Sequence, residues 1–241
     1  EPRFMDRNLA AGFDLFRVNS DFLSEASFQT ESTGASLRLG FPVTASTNLQ
    51  LGYTYRTDNV LVYSSASQAL LNQAGNRNTS VFTYTLNWSR LNDPIEPSNG
   101  YRLQFSQGFA GIGGDVRYMR SEIEGSIYRP VLPSIFGNDV VASFSLNSGF
   151  TMPWGGDTVR INDRFFKGGN SFRGFEVAGI GPRIVTRNAE TGELNRGDAL
   201  GGRLYAVGAF EVSFPTGLPE QYGVRASVFT EFGTLGLLDT P

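Results

Sequence analysis

The 241-residue chain has no cysteine, no histidine, a formal net charge of −3 and only 18% charged residues, against a usual charged share of about 25%. This excludes a disulfide framework, thiolate, Ser-His-Asp and Cys-His chemistry, and the commonest zinc ligand sets. It also argues against a nucleic-acid partner, which demands a basic face.

The 29 glycines, 20 phenylalanines and 9 tyrosines suit twisted strands and turns. No apolar run reaches the ~18 residues of a membrane helix, and no helix is expected anywhere. The opening "EPRFMDRN" is no start of translation and reads as an excerpt from a longer protein.

About nine strands are expected, at residues 8–18, 28–43, 47–57, 79–90, 101–110, 115–130, 139–150, 203–214 and 224–233. Their apolar residues recur with period two. Leu37 and Leu39 oppose Ser36 and Arg38, and Leu51, Tyr53 and Tyr55 oppose Gly52, Thr54 and Arg56. Phe82, Tyr84, Leu86 and Trp88 oppose Thr83, Thr85 and Asn87. The sixth strand alternates poorly, which predicts a bulge near Ser121. Residues 153–203 form the longest stretch without an obvious strand.

Repeated amphipathic strands fit a soluble sandwich or a membrane barrel. The polar face carries Arg38, Arg56, Arg102, Glu211, Arg225 and Glu231 among small residues, and Lys167 is the only lysine. A soluble sandwich would show more lysine and more charge there. Aromatic residues at strand ends suit an interfacial girdle. The membrane barrel is the favoured reading.

Three pieces carry a resemblance: "RFFKGGNSFRGFEVAGIGPR" at 164–183, "ALGGRLYAVGAFEVSFP" at 199–215 and "VRASVFTEFGTL" at 224–235. In order and spacing they resemble the C-terminal barrel of the Omp85 superfamily, most closely its outer-membrane assembly branch. The family's Val/Ile-Arg-Gly-Phe motif reads Phe172-Arg173-Gly174-Phe175, with Gly168-Gly169 before it and Gly181-Pro182-Arg183 after it. Glu211 stands in the following strand, and Glu231 replaces the usual Asp in the next.

The resemblance implies an all-β, sixteen-stranded antiparallel transmembrane barrel whose sixth extracellular loop folds into the lumen. Residues 1–241 would supply about nine consecutive strands. The first four and last three strands and the periplasmic POTRA domains would be absent. It further implies a non-enzymatic factor, integral to the bacterial outer membrane, that folds and inserts other β-barrels. Its partners would be outer-membrane lipid, unfolded barrel clients and, through the POTRA domains, accessory lipoproteins. No cofactor or metal is implied. The main alternative is an Omp85-type two-partner secretion or translocation pore. A passive porin and a soluble β-sandwich binder are the remaining rivals.

The motif also has a physical reading. Glu211 and Glu231 fall on the polar faces of adjacent strands and would repel each other. A guanidinium between them offers five donors to two acceptors, which suggests that Arg173 bridges them. Phe172 and Phe175 are expected to pack against the loop's own apolar residues. Other short patterns carry little. "GIGG" at 111–114 opens no helix, "RGD" at 196–198 is short enough to arise by chance, and no D-x-D-x-D-G calcium loop is present.

Overall fold

The computed structural model describes residues 9–63, 68–135, 138–187, 194–218 and 224–238. Residue 8 of the first expected strand and residues 188–193 of the long loop lie outside the described residues. In chain order the strands are β1 (Ala10–Phe22), β2 (Phe28–Thr44), β3 (Thr47–Val62), β4 (Gly75–Leu91), β5 (Gly100–Gly114), β6 (Tyr118–Ile135), β7 (Asn138–Pro153), β8 (Arg183–Arg187), β9 (Leu194–Ala199), β10 (Leu204–Pro215) and β11 (Arg225–Gly236).

Nine of them form one sheet in the order β1-β2-β3-β4-β5-β6-β7-β10-β11. Every pairing is antiparallel. The strands run 12 to 18 residues, longer than the ~9–11 needed to cross a bilayer at a tilt. Apolar side chains stack across neighbouring strands: Leu37 pairs with Tyr53, Tyr53 with Phe82, and Phe82 with Phe109. On this face Leu37, Tyr53, Leu86, Trp88, Leu103 and Phe144 are all exposed. A wide exposed apolar face, with the polar residues turned the other way, is the pattern of a barrel wall set in lipid.

Several expectations need correction. The bulge is not at Ser121. The β5–β6 register runs unbroken through the Gln107–Ser121 pair. The shifts fall between Pro130 and Leu132 and between Leu132 and Ile135 on the β6–β7 side, where Pro130 has no N–H to give the ladder. Most strands extend several residues past their expected ends. The strand-free stretch is not strand-free, since β8 and β9 form a hairpin of their own inside it. Two single helical turns, α1 (Leu23–Ala26) and α2 (Gln68–Leu71), sit between strands where none was expected.

The segment between Pro153 and Leu204 lies against the polar face. Its side chains bond to β3, β6 and β11. Ile161, Ala178 and Ala199 pack there with Phe28, Val60 and Leu70 from the β2, β3 and α2 end of the wall. Leu70 is fully buried in this cluster, which accounts for α2. The loop therefore brings an apolar core to one end of an otherwise polar concavity.

Candidate functional site

The Gly-rich tip of the loop is a closed unit. An isolated bridge joins Lys167 to Ile180 and forms its neck. Within it, Gly169 N–H donates to Phe175 O at 2.8 Å, Gly179 N–H to Glu176 O at 2.8 Å, and Ser171 Oγ to Gly168 O at 2.8 Å. Gly168 sits at φ +135°. A Cβ there would collide with Glu176 O, so only glycine allows this turn. Gly169, Gly174 and Gly181 also have positive φ. At Gly181 a Cβ would lie 2.6 Å from the Leu235 side chain, so this glycine lets the backbone rest on the wall. Pro182 O accepts the Leu200 N–H at 2.9 Å. Arg183 donates to Ala178 O at 2.6 Å and to Gly197 O at 3.4 Å. The Gly181-Pro182-Arg183 element thus ties the tip to the β8–β9 hairpin.

The tip delivers Arg173 to the wall. Its backbone N–H donates to Glu231 Oε2 at 2.7 Å, its Nε to Glu231 Oε1, and its Nη2 to Glu211 Oε2 at 3.3 Å. Glu231 on β11 accepts two bonds and is 11% exposed as a side chain, whereas Arg173 is 40% exposed. Antiparallel pairing of Glu211 with Phe229 and of Ala209 with Glu231 places the two carboxylates diagonally on one face. The Glu231 hydrogen bond, and after it the charges of Glu231 and Glu211, hold the Arg173 guanidinium above its ordinary value. The structure thus brings together the three residues singled out by charge and face.

The aromatic residues divide differently from expectation. Phe172 is buried against Phe165 of the loop but also against Tyr205, Val207 and Leu235 of the wall. Phe175 stacks on Phe172 with ring centroids 4.8 Å apart and is itself half exposed. The wall contributes a further aromatic that sequence reasoning missed. Phe229 lies under the Arg173 guanidinium, 3.4 Å from carbon to ring centroid. Lys167 Nζ lies 3.8 Å from the Tyr205 ring centroid, and burial pushes its ammonium down while Glu122 and Glu124 oppose this. A signal was available. Tyr205 and Val207 share a face with Glu211, and Phe229 and Leu235 share one with Glu231, so these apolar residues break the alternation.

Beneath the tip is a cavity of about 470 Å³ lined by Glu124, Asn147, Lys167, Ser171, Arg173 and Glu231 among others. Among the described residues no group of three or more His, Cys, Asp or Glu side chains is arranged to hold a metal ion. Both carboxylates of the trio are tied to one guanidinium. The arrangement is an ionic clamp that fixes a loop to a wall.

Residues 1–239 match the Omp85 superfamily domain. The outer membrane protein assembly factor BamA of Neorickettsia risticii (strain Illinois) is 31% identical over 238 residues, covering 98% of this chain and 30% of that protein. The human sorting and assembly machinery component 50 homolog is 28% identical over 224 residues, covering 89% of this chain and 42% of that protein. Among solved structures, BamA from Haemophilus ducreyi lacking POTRA domains 1–3 superposes with a TM-score of 0.82 at 21% identity, covering 98% of this chain and 48% of that one. CdiB from Acinetobacter baumannii gives 0.55 at 14% identity, covering 93% and 37%. The chain thus spans between about a third and a half of the relatives it matches. With this domain match, a long-stranded antiparallel wall and a loop clamped across its polar face, the chain belongs to the Omp85 superfamily of integral outer-membrane β-barrel proteins.

Proposed function

We propose that this chain is the middle wall and lumen loop of a factor that folds and inserts other β-barrels into the outer membrane. The work is physical rather than covalent. A barrel with a weak seam offers a template edge to incoming strands, and it thins the bilayer locally to lower the barrier to insertion. The nine strands here form the rigid side of that barrel, and their edges at β1 and β11 need further strands to pair with in lipid. The role of Arg173, Glu211 and Glu231 is to hold the loop as a strut, with Phe172 as its apolar foot and the flanking glycines, Pro182 and Arg183 shaping it.

The observation that carries this reading is the loop itself. A passive pore needs an open polar constriction, whereas here a loop with its own apolar core is fastened across the polar face by Arg173. The relatives named as assembly machinery, one bacterial and one human, favour assembly. Clients are then unfolded barrel proteins, with accessory lipoproteins and outer-membrane lipid as partners.

The test is depletion of the whole protein in its own cell, followed by quantifying the folded amounts of several unrelated outer-membrane barrels. All of them should fall together. If they hold steady while one exported protein is lost, the chain belongs to a secretion pore, as its weaker likeness to CdiB would then indicate.

A further inference from the structure

The loop is fastened at a second place that neither the motif nor the clamp involves. At its root, Asp163 is buried with 1% exposure. Arg56 on β3 donates to Asp163 Oδ1 at 2.7 Å through Nη2 and to Asp58 Oδ2 at 2.8 Å through Nε. Asp58 is also buried, and it accepts from Ser32 Oγ at 2.6 Å and from Thr79 Oγ1 at 3.0 Å. Arg120 on β6 donates to the Asp163 backbone carbonyl at 3.3 Å, and its guanidinium lies 4.1 Å from the Phe165 ring centroid. Backbone bonds close the base: Phe165 N–H to Gly202 O at 2.8 Å and Gly202 N–H to Phe165 O at 2.9 Å. Ile161, next to this network, donates its N–H to Gln73 Oε1 at 2.7 Å and is fully buried.

Root and tip differ in kind. Breaking the Arg56–Asp163 pair strands charge away from water, and losing one partner of a buried pair is strongly destabilising. Opening the Arg173 clamp returns a guanidinium that is already 40% exposed to solvent, where an ion pair contributes little. Between them lie the Lys167–Ile180 neck and a tip whose internal bonds survive the opening.

We propose that Arg56 and Asp163 are positioning residues. They form a permanent tether that holds the loop root on β3 and aims Arg173 at its carboxylates, while residues 168–179 form a separately releasable unit hinged at the neck. The lumen then stays obstructed at the root when the tip lets go. This does not depend on whether the protein assembles barrels or exports one.

The test is amide hydrogen exchange on the intact, folded protein. Arg173→Ala should speed exchange over residues 168–179 by about tenfold while residues 159–166 keep their protection, since only exposed contacts are lost. Asp163→Asn should speed exchange in both segments, because the tip loses its aim with its root. Replacing both charges, Arg56→Met with Asp163→Leu, should restore protection at the root, because no buried charge is then left alone. Equal loosening of both segments in Arg173→Ala would make the loop one body and overturn the proposal. So would a root that stays protected in Asp163→Asn, or one that the paired replacement leaves as open as the single variant. If Asp163→Asn does not fold, the Arg173→Ala variant and the paired replacement still decide.

Discussion

The Arg173–Glu231 contact can be isolated by a double-mutant cycle. Arg173→Ala removes the guanidinium but keeps the backbone N–H that bonds Glu231 at 2.7 Å. Glu231→Gln keeps an acceptor for that N–H and removes the charge. The coupling between the two substitutions is therefore the side-chain ion pair alone. With Arg173 40% and Glu231 11% exposed, screening is substantial, and the coupling should be about 1 kcal/mol. Arg173→Ala by itself also loses the Phe229 ring contact and the longer Glu211 bond. The total should be about 2 kcal/mol, on the order of a thirtyfold shift in the folded ratio. Arg173→Lys keeps the charge but cannot reach two carboxylates in one plane, so it should recover less than half of the loss. The assay is urea unfolding of the whole barrel refolded in detergent, followed by its cold-gel mobility. A coupling below about 0.3 kcal/mol would show that the guanidinium is simply solvated, and the clamp argument fails.

Two further outcomes follow from the geometry. Gly168→Ala forces a Cβ onto Glu176 O at a positive φ; it should cost about 3 kcal/mol and expose the tip to protease, and a protease-resistant, fully stable variant would show that the neck can rearrange. In the turn between β4 and β5, Asp93 accepts the Ile95 N–H at 2.7 Å and the Glu96 N–H at 3.0 Å, and these bonds, that of Glu96 foremost, hold its carboxyl below the ordinary value. The sign follows from the depressed value: the turn's order is fully present above the unfolded carboxyl's pKa of about 4 and is lost as pH falls through the lower folded value. Amide exchange at Ile95 and Glu96 should rise with acid, and Asp93→Asn, which keeps an acceptor, should flatten that response.

Much of the wall was legible because its chemistry is periodic. Leu37, Tyr53 and Phe82 each alternate with small or polar residues, and the ladder stacks them as the pattern requires. Ser121 misled for a physical reason. It lies on the lipid face but donates to Gln107 Oε1 at 2.6 Å, and Gln107 in turn bonds the Arg120 carbonyl at 3.2 Å. A satisfied polar pair in an apolar row looks like broken alternation, while the true shift at Pro130 has no alternation signal. The trio was readable from charge and face: Glu211 and Glu231 share the polar side, and Arg173 stands in a Gly-rich loop that can approach them. Phe229, Tyr205, Val207 and Leu235 were readable only as lapses in the pattern, because a side chain's partner across a lumen leaves no local mark. The root network was illegible. Arg56 and Asp163 are 107 residues apart, and only the folded wall brings them together.

The diagonal placement of Glu211 and Glu231 makes the clamp conditional on pairing. In register, Ala209 faces Glu231 and Gly208 faces Phe232. A slip of β11 by one residue turns every side chain to the other face. Glu231 would then point into lipid and Phe232 into the lumen, and Arg173 would find one carboxylate instead of two. The loop can close only over a correctly paired β10–β11 hairpin. A barrel that engages its own loop has thereby tested the alignment of the strands that follow it, so the strut also serves the protein as a check on its own construction.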